Sequence, residues 1–175
     1  MAAKQACDGN QKEEMGKVKV LIAYASRFGC TETCANQLKD KLKGAEVRVV
    51  DLGKESPGEL EGYDAVVVGG PIYAGNIEAS VKKFSTENVD ILLQKKLALF
   101  LCCGNGDQFA AQLSSAFDPR LIEHAVAHEH FGYEFKLAEM GFFFRLIVRL
   151  VAKVKQSESR ILDENITRLA DKLAE

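Results

Sequence analysis

The fold is decided near the start of the chain by VKVLIAYASRFGCT, residues 18–31. The apolar run 18–23 predicts a buried strand, and a helical pattern begins near Thr31. The two are joined by a short loop, Ser26-Arg27-Phe28-Gly29-Cys30-Thr31. A strand that enters a helix through such a loop favours a phosphate site. The reason is that the first N–H groups of a helix lack partners within it and lie at the positive end of its dipole.

Hydroxyl groups of Ser26, Thr31 and Thr33 are further candidate donors to a phosphate, and Gly29 lets the backbone approach a ligand closely. The loop contains neither the Walker pattern nor G-x-G-x-x-G. An ordinary strand-to-helix turn capped by Thr31 therefore remains the alternative at this point.

The stretch from Leu21 to Glu32 resembles the FMN phosphate loop, S-x-x-G-x-T, of the flavodoxin-like proteins. Two later stretches, 69–76 and 103–108, resemble the two loops that contact the flavin ring in that family. The resemblance extends over the chain after residue 16 and is closest to flavodoxin-domain proteins similar to menaquinone-dependent protoporphyrinogen oxidase. It implies FMN as the cofactor, bound by Ser26, Arg27, Phe28, Gly29, Cys30, Thr31, Pro71, Ile72, Tyr73, Ala74, Gly75, Asn76, Cys103, Gly104, Asn105, Gly106 and Asp107.

Composition limits the class of protein. With 175 residues, 47% of them apolar, the chain has enough material for one soluble domain with a core. No run of eighteen apolar residues is present, so no membrane span is predicted. The formal charge of -2 favours neither a nucleic-acid partner nor a strongly acidic docking face.

Residues 1–16 are polar, lack an apolar period and predict a disordered tail rather than a signal peptide. Met15-Gly16-Lys17 resembles a conventional start, so either Met1 or Met15 is a candidate first residue. The domain is predicted to occupy residues 17–175.

Strand and helix patterns alternate along that domain. Strands are predicted at 18–23, 46–51, 65–68, 96–102 and 125–133; helices are predicted at 31–43, from 80, at 108–117 and at 163–174. Pro119 is expected to break the chain, and Ile166, Leu169, Ala170 and Leu173 form one face of the last helix. This alternation predicts an α/β fold with right-handed crossovers. With the resemblance, it becomes a flavodoxin-like three-layer sandwich: a five-stranded parallel sheet, order 2-1-3-4-5, with helices on both faces.

One segment, 137–155, is surplus to that scheme and is predicted to be an inserted basic amphipathic segment. At helical spacing Arg145, Arg149 and Lys153 form a basic stripe opposite a wide apolar face. The segment either packs over the sheet with this stripe in water, or 142–155 makes peripheral contact with a membrane, a quinone-bearing partner or a second subunit.

The resemblance implies specific roles in the two ring loops. The peptide beside Gly75 would rotate when the flavin is reduced, although a plain turn is equally compatible with Gly75-Asn76. Tyr73 either stacks on the flavin or only packs, and Asp107 either borders the ring or caps the next helix. The chain contains no tryptophan, so the tryptophan sandwich of many carrier flavodoxins is excluded.

The five cysteines are an odd number without a secretory signal, so reduced thiols in a cytoplasm are expected. Cys102 and Cys103 are interpreted as the buried end of a strand. Cys30 and Cys34 are a weak candidate for a redox pair, because i,i+4 positions on one helix suit a disulfide poorly. His124, His128 and His130 are interpreted as ordinary strand and edge residues, and no metal site is predicted.

The sequence therefore predicts a cytoplasmic FMN-binding redox protein, with peripheral attachment at the inner face of the membrane as a variant. The first hypothesis is an oxidoreductase resembling menaquinone-dependent protoporphyrinogen oxidase, with a quinone or a partner redox protein and no nucleic acid. The alternative is a flavodoxin-type electron carrier. A quinone reductase that uses a nicotinamide donor is a third hypothesis.

Overall fold

The computed structural model describes residues 17–135 and 158–175. The predicted tail, 1–16, and the predicted insertion, 137–155, lie outside the described residues. Their assignment and the domain boundary at residue 17 therefore stay predictions.

Five parallel strands form the central sheet: β1 (Lys19–Tyr24), β2 (Glu46–Asp51), β3 (Ala65–Tyr73), β5 (Lys96–Cys102) and β6 (Ala127–His130). A short strand, β4 (Asn76–Ile77), pairs antiparallel with the end of β3. The order across the sheet is β2-β1-β3-β5-β6, which is 2-1-3-4-5 when the parallel strands alone are counted. The predicted topology is confirmed.

Helices cover both faces of the sheet: α1 (Cys30–Lys41), α2 (Ala79–Glu87), α3 (Val89–Leu92), α4 (Phe109–Ala116), α5 (Pro119–His124) and α6 (Asp163–Ala174). Alternate residues of each strand point to opposite faces, so the helices bury two separate cores. Leu21, Val66 and Leu99 face α2 and α4, whereas Ile22, Val67 and Phe100 face α1 and α6. This is the predicted three-layer sandwich.

Pro119 follows the expected interruption, because α4 ends at Ala116, but it also begins a helix, α5, that the sequence did not predict. It occupies the first turn of α5, where its missing N–H has no intrahelical partner to lose. The backbone N–H of Arg120 donates to Asp118 Oδ1 at 2.9 Å, which caps the helix. The residue expected to end one helix therefore begins another.

The single strand predicted at 125–133 is wrong in extent. β6 ends at His130, and a new strand, β7 (Gly132–Phe135), leaves the central sheet to pair antiparallel with β8 (Glu158–Ile161). The chain changes direction between β6 and β7 at Gly132, which has φ of +84°. A Cβ at Gly132 would overlap the carbonyl oxygen of Arg160. Both the backbone conformation and the close approach therefore require glycine there.

The last helix has the predicted bounds, and its predicted apolar face is buried. Two ion pairs hold its polar side. Lys41 Nζ of α1 lies 2.8 Å from Asp163, and Arg168 of α6 lies 2.6 Å from Glu129 of β6. Within 17–135 and 158–175, no helix combines the length and apolarity needed to cross a bilayer.

Replacement of Gly132 by alanine should lower the free energy of unfolding by about 2 kcal/mol or more, because it adds left-handed backbone strain to a steric overlap. Chemical denaturation of the purified protein measures this. Gly62→Ala is the matched control, because a Cβ at Gly62 has no neighbour within 4 Å and its φ is not positive. Equal stability of the two variants would contradict the proposed role of Gly132.

Candidate functional site

The loop after β1 closes on itself through Ser26. The N–H of Gly29 donates to Ser26 Oγ at 3.1 Å, and Gly29, with φ of +83°, is the N-cap residue of α1. The carbonyl oxygen of Gly29 accepts from both the backbone N–H and the hydroxyl of Thr33, at 2.9 and 3.1 Å. The Thr33 hydroxyl, a candidate phosphate donor in the sequence, is thus engaged within the helix.

Thr31 has the most informative side chain of this loop. It is 1% exposed, and its hydroxyl oxygen is buried without a hydrogen-bond partner in 17–135 and 158–175. An unsatisfied buried hydroxyl costs on the order of 1–3 kcal/mol. Thr31 lies inside the first turn of α1 and does not cap it, so the sequence-based alternative of a Thr31-capped turn is wrong. The position instead suits a ligand that brings its own acceptor atoms.

The second predicted loop is mostly strand. β3 continues through Pro71, Ile72 and Tyr73, and Tyr73 then pairs with Asn76 across a two-residue turn. The turn residues Ala74 and Gly75 have φ of +49° and +82°, the combination typical of a type I′ hairpin. A left-handed conformation is costly for a non-glycine residue such as Ala74, and residues with such strain are often found at functional sites.

Tyr73 links the first two loops. Its ring contacts Phe28 edge to face, with ring centroids 5.9 Å apart, and the Arg27 guanidinium lies 5.4 Å from the Tyr73 centroid. Arg27 also forms an ion pair of 3.8 Å with Glu78, which precedes α2. Burial raises the pKa of the Tyr73 phenol well above its usual range, although the Arg27 charge opposes this, so the ring stays neutral at physiological pH.

The third loop leaves the buried end of β5. Cys103 is buried, whereas Gly104, Asn105, Gly106 and Asp107 are exposed. Asn105 Oδ1 accepts from the Asp107 backbone N–H at 3.1 Å and caps the 3-10 turn Gly106–Gln108. The cap at this position is therefore Asn105, and the predicted capping role of Asp107 for the next helix is not observed.

His130, which was predicted to be an ordinary strand residue, contacts the third loop. It ends β6, and its Nε2 lies 2.7 Å from the carbonyl oxygen of Cys103. Because a carbonyl only accepts, this ring nitrogen carries the proton. The imidazole also lies against Gly106 and 6.0 Å from the Phe109 ring, centroid to centroid. The position of His130 at the carboxyl end of a strand next to β5 is the feature of the sequence that could have indicated this contact.

The sheet brings the three loops to one edge. β1, β3 and β5 are adjacent and parallel, so their carboxyl ends meet there, which is where ligands of open α/β sheets bind. Phe28 and Tyr73 join the first loop to the second, and Cys30 lies beside Cys102 at the end of β5. Asn105 and Asp107 are engaged with each other.

A cluster of thiols, which the sequence did not predict, lies near this edge. The Sγ atoms of Cys30, Cys34 and Cys102 all lie within 4.8 Å of one another. Cys34 and Cys102 are buried, and Cys30 is partly exposed. The hydrogen bonds of the Cys102 thiol with Cys30 and Cys34, together with burial, raise the pKa of Cys102. Cys103 lies outside the cluster, with its Sγ 3.7 Å from the carbonyl oxygen of Asn105.

The remaining histidines have backbone partners. Nε2 of His124 lies 2.9 Å from the carbonyl oxygen of Lys95, and Nε2 of His128 lies 2.7 Å from that of Ile122. In the described part of the chain, the thiol cluster alone groups three or more side chains suited to a metal ion.

Comparison with known proteins agrees with this architecture. The family described as "Flavodoxin domain" matches residues 21–161. A flavodoxin from Trichodesmium erythraeum is 30% identical over 94 residues, covering 51% of this chain and 53% of the relative. An NAD(P)H dehydrogenase (quinone) from Chromohalobacter salexigens is 28% identical over 103 residues, covering 45% and 51%. The chain thus spans about half the length of these curated relatives.

Among solved structures, the flavodoxin of Streptococcus pneumonia TIGR4 superimposes with a TM-score of 0.60 and 18% sequence identity. The superposition covers 90% of this chain and 98% of that one, which supports the shared fold. The family match extends over all three loops described above. The chain therefore belongs to the flavodoxin-domain family, and its cofactor is FMN.

Proposed function

We propose that this chain is an FMN-dependent oxidoreductase that holds the FMN phosphate at the N-terminus of α1 and the flavin ring between the second and third loops. The observation that carries the proposal is the buried hydroxyl of Thr31, which has no hydrogen-bond partner among the described residues. A phosphate oxygen at the start of α1 would accept from this hydroxyl and from N–H groups of the first turn, which have no acceptor within a helix.

The phosphate loop fits a dianion in its other features as well. Gly29, in a left-handed conformation, begins a twelve-residue helix whose dipole favours negative charge at this end. Arg27 is exposed beside the loop and adds positive charge, part of which Glu78 offsets. We assign Ser26, Arg27, Phe28, Gly29, Cys30 and Thr31 to the phosphate.

For the flavin ring, we assign Pro71, Ile72, Tyr73, Ala74, Gly75 and Asn76 to one side and Cys103, Gly104, Asn105, Gly106 and Asp107 to the other. The support is that both groups lie at the same sheet edge as the phosphate loop, with the tips at 74–76 and 104–107 exposed. Neutral Tyr73 offers an aromatic face, and the exposed backbone of the third loop offers amides. When bound, FMN supplies the electron chemistry, and the protein supplies position and electrostatics.

Two activities are compatible with such a site. We favour an oxidoreductase resembling menaquinone-dependent protoporphyrinogen oxidase, with a quinone as electron acceptor, on the basis of the sequence resemblance and the basic, phenylalanine-rich stretch at 142–155. Contact of that stretch with the inner face of a membrane belongs to this proposal. The second candidate is an electron carrier for a partner redox protein, which the relatives named flavodoxin favour.

The deciding experiment is anaerobic reduction of the FMN-loaded protein, followed by visible absorption. An enzyme that resembles protoporphyrinogen oxidase should take up two electrons in one resolved step. It should oxidise protoporphyrinogen and pass the electrons to a menaquinone analogue. The FMN-free protein is the control for spontaneous porphyrinogen oxidation. Reduction in two resolved one-electron steps, without porphyrinogen oxidation, would support the carrier instead, and rapid reduction by NAD(P)H would support a quinone reductase.

Replacement of Thr31 by valine tests the phosphate assignment. Valine keeps the shape of threonine and removes the unsatisfied hydroxyl, so the FMN-free variant should be as stable as the parent or up to about 1 kcal/mol more stable. FMN affinity should fall about 10–100-fold, because a hydrogen bond to a charged acceptor is lost. Fluorescence titration with FMN and denaturation of the FMN-free protein measure the two effects.

Thr33→Val is the control, because the Thr33 hydroxyl is satisfied by Gly29. That variant should lose about 1 kcal/mol of stability and keep most of its FMN affinity. Unchanged FMN affinity of Thr31→Val would refute the phosphate assignment.

The hairpin turn gives a pair of opposite substitutions. Ala74→Gly should raise the free energy of unfolding by about 0.5–1 kcal/mol, because it relieves a left-handed alanine. Gly75→Ala should lower the free energy of unfolding by about 1 kcal/mol, because it introduces a left-handed alanine. A steric clash does not contribute, since a Cβ at Gly75 has no neighbour within 4 Å. Thermal or chemical denaturation checks both, and changes of the same sign would rule out the type I′ geometry.

A further inference from the structure

Three thiols converge beside the phosphate loop from two different elements. Cys30 is the first residue of α1, Cys34 follows one helical turn later, and Cys102 is the last residue of β5. Their sulfur atoms lie within 4.8 Å of one another and share hydrogen bonds. This grouping is a property of the tertiary structure, because Cys102 is distant from the other two in sequence.

The spacing suits a single metal ion. A metal–thiolate bond of about 2.3 Å places three sulfurs about 4 Å apart around a trigonal ion. That separation falls within the range that the cluster already has. The Cys30 thiolate would lie in the first turn of α1, where the helix dipole favours negative groups.

The donor set limits which ion fits. In 17–135 and 158–175, the group that could hold a metal consists of these three thiols, without a histidine or carboxylate. Cys34 and Cys102 are buried, and Cys30 is partly exposed. Thiolates are ligands for both Cu(I) and zinc, but structural zinc sites take four ligands. An ion that is satisfied by three sulfur ligands therefore matches the donor set better than zinc does.

We propose that Cys30, Cys34 and Cys102 form a three-thiolate binding site for Cu(I). Binding replaces three S–H bonds with three Cu–S bonds and releases three protons to solvent, without any change in oxidation state. The site shares Cys30 with the proposed phosphate loop, whereas Cys34 and Cys102 lie outside all of the FMN assignments. Failure of Cu(I) binding would therefore leave FMN binding as a separate question, which FMN titration answers.

The test uses the FMN-loaded full chain with Cys7→Ser, since Cys7 lies outside the described residues and is a competing thiol. Cu(I) is titrated anaerobically against a chromogenic Cu(I) chelator, and X-ray absorption at the copper edge counts the sulfur ligands. Zn(II) is titrated in parallel. We expect one equivalent of Cu(I), three sulfur ligands and weaker Zn(II) binding.

Single Cys→Ser substitutions at 30, 34 and 102 should each weaken Cu(I) binding roughly 100-fold or more, since each removes a direct ligand. Cys103→Ser removes a buried neighbouring thiol outside the cluster, so the Cu(I) affinity of that variant should be unchanged. Because Cys103 is assigned to the flavin ring, FMN titration of the same variant measures any effect on FMN binding separately. Circular dichroism verifies folding, and the sulfur count on the unsubstituted cluster does not depend on the variants.

Several results would overturn the proposal. They are fewer than three sulfur ligands, preference for Zn(II), equal weakening of Cu(I) binding by Cys103→Ser, or retention of Cu(I) by the chelator.

Discussion

The structure depends on the N-terminus of α1, where a helix begins immediately beyond the carboxyl end of a central strand. The first N–H groups of a helix lack intrahelical acceptors, and the hydroxyl of Thr31 is buried without an acceptor among the described residues. Both features are hydrogen-bond donors that an anionic ligand would satisfy. A conformation that is unfavourable in the protein alone is therefore the physical basis of the proposed phosphate site.

The two cores keep this helix end in place. On one face, α1 and α6 pack against β1, β3 and β5 through Leu38, Ile166 and Leu169. The Lys41–Asp163 and Arg168–Glu129 ion pairs lie at the rim of that layer. In each pair one partner, Asp163 or Arg168, is exposed to solvent, so the pairs contribute orientation more than stability. On the other face, Val81 and Leu113 hold α2 and α4 and thereby the two ring loops that precede them.

The same edge of the sheet combines rigid and strained parts. β3 delivers Tyr73 at the end of a well-paired strand, and the next two residues adopt left-handed conformations in a tight turn. The third loop is exposed but is tied to β6 through His130 and to its own turn through Asn105. A ring held between these loops would be fixed in position yet remain accessible from solvent, as electron exchange with a second molecule requires.

Local sequence determined the regular elements. Alternating apolar runs and helical periods predicted the parallel sheet and the bounds of α6, because strand and helix periods are properties of neighbouring residues. The family resemblance supplied the strand order and the positions of the three loops. Local sequence did not predict the break at Gly132, whose cause is a close approach to Arg160, or the α5 start at Pro119, which needs the Asp118 cap. Only the tertiary structure decided that Thr31 is buried without a partner, that His130 reaches Cys103, and that Cys102 joins Cys30 and Cys34. These facts depend on contacts between residues distant in sequence, which packing of helices on the sheet creates and no local pattern records.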